Sequence, residues 1–410
     1  QLTLSRLVQK LSDILRAAYA HSQASREPSS LRESLGGPHK AAFDFAALSR
    51  IVGKGVPRDE LTPTRRERLE RTLAALESQT IYALHDPGED EDDGTAAWRF
   101  DNCSAAAKAL DERLPQFAAL AKALAIAELE ARGRYVEADH DLFFEAFDAA
   151  MLTPDDLARF PDLLVCIPPE RNDAPENANL MELLSSGAPV KVLVQTADLL
   201  EDTAVGRGHF AFGVRSARLA TAAMGLGGMF VLQCAASNLY ALRERIAHGM
   251  AAREPALFSV YAAGAGVLPP YLTAAAAMQS RAFPAFSYDA AAGSNWAERF
   301  SLENNPLPDG DWAVETLDFV DDRLQRASEP ATFTFADFVL ADPRHAAHFA
   351  LVPRAQWSEQ MRPLAEWLTL GEAEAARHVP YLLAVDAHDA LQRVIVDAAV
   401  TQATKRCLLL

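Results

Sequence analysis

The chain has 410 residues, and 50% of them are hydrophobic, so it is long enough for a large core and two or three domains. Its formal net charge is −17. Proteins that bind nucleic acid or an anionic membrane surface need a concentrated basic surface, so the negative charge argues against both partners. No membrane insertion is expected, because no window reaches the roughly 18 uninterrupted apolar residues that a membrane helix needs. The four cysteines are far apart and form no CxxC pair, which predicts neither an iron–sulfur motif nor a disulfide framework and favours a cytoplasmic location.

Residues 1–152 carry helical patterns and predict a helical region. In LTPTRRERLERTLAALESQTIYAL, residues 61–84, the leucines fall near one face of a helix, and Thr64 is a candidate cap. The acidic run at residues 86–94 lacks the ligand order of a calcium loop, so it is interpreted as a solvated loop.

Residues 153–312 predict a different architecture. Short apolar runs that favour strands alternate with segments of helical spacing, which predicts an α/β domain around a mostly parallel, buried sheet. Such sheets bind ligands at the carboxyl ends of their strands, so the loops that follow these runs are the first candidates for a site. The strand-like runs are residues 163–167, 190–196, 230–234, 256–262 and 283–289.

Residues 313–410 predict a small α+β region. Helical patterns occur in residues 333–353 and 361–370, and residues 378–397 form two apolar runs around a polar turn at His388 and Asp389, which predicts a β-hairpin.

One pair of histidines in this region has a spacing that metal sites use. His345 and His348 are three residues apart on a predicted helix, and Asp342 is close to them in sequence. No glutamate stands between them as in HExxH, so the sequence favours a structural or exposed pair.

Two stretches carry a resemblance to a known family, LMELLSSGAPVKVLVQTAD and, later in the chain, MQSRAFPAFSYDAAAGSNWAERFSLENNPLPDGDW. Through the pattern and order of these stretches, the chain from about Asp162 to Asp311 resembles the thiamine diphosphate-binding domain of pyruvate:ferredoxin (flavodoxin) oxidoreductases and related 2-oxoacid oxidoreductases. The resemblance implies a thiamine diphosphate fold. It also implies an oxidoreductase context with thiamine diphosphate and Mg²⁺ as candidate cofactors.

The cofactor motifs of that family are altered here. The family has Gly-Asp-Gly after the first strand of the domain, whereas this chain has PPERNDAPEN, in which Asp173 is the acid with a plausible offset. After the next strand the family has Asn-Thr-Gly-Gly. Here Asp202 and Thr203 occupy that loop, and Gly206 and Gly208 follow as a conceivable anion site. These five residues are the candidate cofactor-binding residues, and their departures from the motifs imply a degenerate site.

Three hypotheses follow from these observations. In the first, the chain is a non-catalytic 2-oxoacid:ferredoxin oxidoreductase-like subunit or fragment that serves assembly or partner binding, with an iron–sulfur redox subunit or a second copy of itself as partner. In the second, it is an active thiamine diphosphate-dependent component with a divergent site. In the third, it is an unrelated small-molecule enzyme that uses the carboxyl edge of its sheet.

Overall fold

The structure is a computed structural model that describes residues 2–34, 43–52, 61–81, 98–157, 159, 161–200, 214–266, 268–307 and 310–408. Contacts between residues divide the chain into two compact units. The first comprises Gln1–Ala97 with Lys108–Pro161, and the second comprises Trp98–Ala107 with Asp162–Leu410. The division at residues 152 and 312 that the sequence suggests stays a prediction.

The described residues of the first unit are mainly helical. Helix α4 begins after Thr62, whose hydroxyl accepts a hydrogen bond from the backbone N–H of Arg65 at 3.3 Å, and Pro63 fills its first position. Thr62 is therefore the cap, and the expectation for Thr64 is wrong, because proline at the first helical position places the start of the helix two residues earlier. The helices are α1 (Leu2–His21), α2 (Pro28–Ser34), α3 (Phe45–Val52), α4 (Pro63–Glu77), α5 (Cys103–Ala131, whose first residues belong to the second unit), α6 (Glu137–Ala146) and α7 (Pro154–Leu157).

The first unit contains a buried ionic contact between helices α4 and α5. The carboxylate of Glu130 is 1% exposed and accepts hydrogen bonds from the Nε atoms of Arg65 at 2.8 Å and Arg68 at 2.9 Å. The guanidinium of Arg68 also lies 3.9 Å from the ring centroid of Tyr135. A buried carboxylate requires such partners, so these contacts hold α4 against the end of α5.

A seven-stranded sheet organises the second unit in the order β1-β2-β3-β5-β4-β6-β7. The first five of these strands are parallel, and β4 and β5 are buried on both faces, which explains their continuous apolar sequences. This confirms a mixed α/β fold with a mostly parallel sheet. The strands are β1 (Trp98–Phe100), β2 (Leu163–Ile167), β3 (Val190–Thr196), β4 (Phe230–Ala235), β5 (Ala256–Tyr261), β6 (Phe286–Asp289) and β7 (Phe300–Ser301).

The run at residues 283–289 does not continue the parallel pattern. Strand β6 pairs antiparallel with β4, with Gln233 opposite Phe286 and Phe230 opposite Asp289. Strand β5 therefore ends, and β6 begins, at the same edge of the sheet. Helix α11, which connects these two strands, does not return the chain to the opposite edge as a helix between parallel strands does. The remaining helices of this unit are α8 (Ala174–Ser185), α9 (Val214–Met224), α10 (Arg243–Ala251), α11 (Pro270–Gln279), α12 (Trp296–Arg299), α13 (Phe335–Leu340), α14 (Leu364–Trp367), α15 (Glu372–Ala375) and α16 (Ala398–Leu408).

The last hundred residues form the predicted mixture of helices and strands. The predicted hairpin is present: β12 and β13 are antiparallel, and Asp389 in their turn has a φ of 59°. Residues 349–352 form a strand where the sequence predicts helix, because Phe349 and its neighbours pair with β13. The strands are β8 (Ala313–Val320), β9 (Arg326–Phe333), β10 (Phe349–Val352), β11 (Met361–Pro363), β12 (Val379–Val385) and β13 (Leu391–Val396), in which β8 pairs with β9 and the others form a four-stranded sheet.

Candidate functional site

The carboxyl ends of the parallel strands meet at one edge of the sheet, which we call the carboxyl edge. The register places Ile167 of β2 opposite Val194, and Thr196 of β3 opposite Tyr261 of β5. Tyr261 in turn lies opposite Ala235 of β4. The loops that follow these strands therefore converge, as expected for a parallel sheet.

Asp173 lies at this edge, but its side chain caps a helix. One of its carboxylate oxygens accepts a hydrogen bond from the backbone N–H of Glu176 at 2.9 Å, and Asp173 is the residue before α8. The sequence contains the signal for this role, since an acid followed by proline and then glutamate is typical of a helix start. The other four candidate cofactor residues, Asp202, Thr203, Gly206 and Gly208, lie outside the described residues.

Asn172 ties the loop after β2 to the end of β3. Its side-chain amide donates to the backbone carbonyl of Gln195 at 3.3 Å and to the hydroxyl of Thr196 at 3.2 Å. The side chains of Asn172 and Asp173 are thus both engaged in contacts within the protein.

Three charged side chains gather beyond the end of β3. Arg344 donates to Asp198 and to Asp342, each at 2.5 Å. These two hydrogen bonds raise the pKa of Arg344 above its usual value, and the bond from Arg344 lowers the pKa of Asp342. Burial alone would raise the pKa of Asp198, but its hydrogen bonds from Arg344 and from the N–H of Leu200 outweigh that effect and lower it. All three groups remain charged at neutral pH.

Two neutral groups flank this cluster. Burial raises the pKa of Tyr261 to about 12, and the charge of Asp198 adds to the shift. Burial also lowers the pKa of His345, so at neutral pH Tyr261 is a phenol and His345 is a neutral imidazole. The charges of Asp198, Asp342 and Arg344 are compensated within the cluster.

The histidine pair does not assemble a metal site with its neighbours. The rings of His345 and His348 are 6.0 Å apart, and Nδ1 of His348 lies 2.6 Å from a carboxylate oxygen of Asp397. Within the part of the chain that the structure describes, no group of three or more potential ligands is placed to hold a metal ion.

The described residues at the carboxyl edge do not fit thiamine diphosphate and Mg²⁺. A diphosphate requires close approach of the backbone and a cation held by several oxygen ligands. Asp173 is a single carboxylate that is already used as a cap.

Exposed apolar side chains are the feature of this edge that the sequence analysis missed. Helix α11 packs against the short 3-10 turn at Ala236–Asn238, which follows β4. Large apolar residues beside both segments are exposed, including Tyr240 at 82% and Tyr271 at 65%. We call these residues the apolar edge surface: Leu239, Tyr240, Leu268, Tyr271 and Leu272.

Comparison with known proteins adds no family. Neither the family models nor the curated proteins give a match to this chain. In the described residues, no helix has both the length and the apolar character that crossing a bilayer requires.

Proposed function

We propose that this chain is a non-catalytic subunit, or a fragment of one, related to the 2-oxoacid:ferredoxin oxidoreductases, and that it serves assembly or partner binding in a redox system. A thiamine diphosphate fold is part of the proposal. The order of the sequence motifs between Asp162 and Asp311 and the mostly parallel sheet both support it.

The apolar edge surface carries the proposal. Tyrosine and leucine side chains exposed to this degree next to each other in the fold are typical of sites where another protein binds. Tyr240 and Tyr271 are the strongest candidates for anchors, because tyrosine combines a large apolar ring with a hydrogen-bonding hydroxyl.

The polar side chains at the same edge support a structural role for it. Asp173 caps α8, Asn172 bonds to β3, and Asp198 bonds to Arg344. Each of these contacts stabilises the fold and occupies a group that a catalytic site would use to bind a cofactor or a substrate.

The proposed partner is an iron–sulfur redox subunit or a second copy of this chain. The four cysteines are free thiols, Cys103, Cys234 and Cys407 are buried, and the described residues contain no group of three or more side chains placed to hold a metal ion. An electron carrier would therefore be supplied by the partner.

Sedimentation velocity tests partner binding directly. The native chain is measured over a range of concentrations, alone and with a purified ferredoxin, beside the double variant Tyr240→Ser with Tyr271→Ser. We expect the double variant to weaken association about tenfold or more, because two anchors are lost. Leu324→Ser is the matched control, since Leu324 is exposed in the turn of the β8–β9 hairpin, and it should leave association unchanged. Association of equal strength in the double variant contradicts the proposal, as does a chain that binds neither itself nor ferredoxin.

Calorimetric titration with thiamine diphosphate and Mg²⁺ separates this proposal from an active enzyme. The proposal expects no saturable heat. Asp173→Ser is the informative variant, because serine keeps the helix cap but removes the carboxylate. Tight binding by the native chain that Asp173→Ser abolishes would establish the alternative, a divergent but functional cofactor site.

A further inference from the structure

A cleft in the second unit lies away from the β3 and β5 ends of the sheet. It is bounded by the end of α11, the segment after β7 and the helix α16. Met278, Leu302, Trp312 and Cys407 give it largely apolar walls. The space open to the centre of a water-sized sphere is about 80 Å³. The cleft therefore has room for a small organic molecule.

Arg281 supplies a positive charge to this cleft. Its side chain is 26% exposed and lies 3.9 Å from the carboxylate of Asp311, which is itself 77% exposed. Nη2 of Arg281 donates to the carbonyl of Gly310 at 2.6 Å, and the guanidinium carbon lies 5.8 Å from the ring centroid of Trp312. The guanidinium is thus partly removed from water and only weakly neutralised, because an ion pair with an exposed partner at this distance contributes little.

The backbone at Arg281 is in the left-handed region, with a φ of 57°. Residues with a side chain adopt this conformation at a free-energy cost, and such positions cluster at binding sites. Glycine would occupy the position without that cost. An arginine here places a guanidinium at the cleft at the expense of local stability.

The thiol of Cys407 adds no charge to the cleft. Burial raises its pKa to about 12, so it stays protonated at neutral pH. The described lining of the cleft therefore combines apolar walls with the cation of Arg281 and the exposed carboxylate of Asp311, and its chemistry is that of binding, with no covalent step.

We propose that this cleft binds a small apolar carboxylic acid. The carboxylate lies on the guanidinium of Arg281, and the hydrocarbon part packs against Met278 and Trp312. A branched aliphatic acid such as isovalerate has the size and the charge that the cleft fits.

Ligand-observed NMR with isovalerate tests the site, and isovaleramide, of the same shape without the charge, is the matched ligand. Arg281→Gly removes the guanidinium and relieves the backbone, so its melting temperature should stay within about 5 °C of the native value. We expect isovalerate to bind Arg281→Gly at least about tenfold more weakly than the native chain, because a charge-assisted hydrogen bond is lost. Asp311→Asn should tighten binding about threefold by removing the competing carboxylate. Equal affinity in the native and Arg281→Gly proteins, equal binding of isovaleramide, or no saturable isovalerate signal from the native chain overturns the proposal.

Discussion

Glu130→Gln is the substitution that most directly tests how the first unit is held together. The amide has the shape of the carboxylate, but its oxygen accepts from only one of the two arginines, and its NH₂ group then faces the Nε–H of the other. Both bonds of the native group are charge-assisted and measure 2.8 and 2.9 Å. Such bonds contribute about 1.5–3 kcal/mol each when they are buried.

The expected loss is smaller than the sum of the two bonds. The side chain of Arg65 is 37% exposed, so water replaces much of what it loses, and Arg68 keeps its contact with Glu137 at 3.2 Å. Removing one member of a fully buried pair costs about 3–5 kcal/mol, and this site lies below that range. We expect Glu130→Gln to lower the free energy of unfolding by about 2–3 kcal/mol.

Urea unfolding followed by circular dichroism measures this loss. Glu128→Gln is the matched control on the same helix, because Glu128 is 38% exposed and lies 3.7 Å from Arg132. It should change stability by less than about 0.5 kcal/mol. If Glu130→Gln were no more destabilising than this control, the buried ion pair would not be holding the helices together.

Two further predictions concern the second unit. Burial raises the pKa of Asp337 from 3.8 to about 6, although the hydrogen bonds from Thr334 oppose this shift. Between these two pH values the folded state keeps a proton that the unfolded state releases. Stability present below about pH 4 is therefore lost as the pH rises through 6. Over that pH window the free energy of unfolding of Asp337→Asn should rise by about 1–2 kcal/mol relative to that of the native chain, a gain limited by the partial exposure of Asp337. Urea unfolding at several pH values measures it, and a difference that does not change with pH contradicts the prediction. Gly249→Ala places a methyl group onto the ring of Phe230 and should cost about 1–3 kcal/mol in thermal unfolding. Gly264→Ala is the control, because its methyl group enters open space and should not cost stability. Equal effects of the two substitutions would refute the close packing at Gly249.

The apolar strands of the central sheet could be predicted because burial on both faces produces continuous apolar runs. VKVLVQT at Val190–Thr196 forms β3 with the predicted limits. The direction of β6 could not be predicted in the same way, because a strand has the same pattern whether it runs parallel or antiparallel to its neighbour. The hairpin of β8 and β9 was not predicted at all, since its strands are largely exposed and the second one contains Pro330, a residue that argues against a strand in the sequence.

The candidate site shows a similar limit. Asp173 was correctly placed in the loop after β2, but its acidity suggested a cation ligand, although its spacing to Glu176 also predicts a cap. Asp198, one of the two carboxylate partners of Arg344, is 146 residues away in sequence, so no local pattern indicates that cluster. Exposure of Tyr240 depends on which face of a segment packs, and a single sequence does not determine that face.

The two outer strands of the seven-stranded sheet have a consequence for aggregation. In the described residues, the sheet ends at one side in β1, which has three residues, and at the other in β7, which has two. An open strand edge presents unpaired N–H and C=O groups that recruit strands from other molecules, and very short edge strands suppress this. Copies of the seven-stranded sheet are therefore poorly suited to join edge to edge into a continuous ribbon.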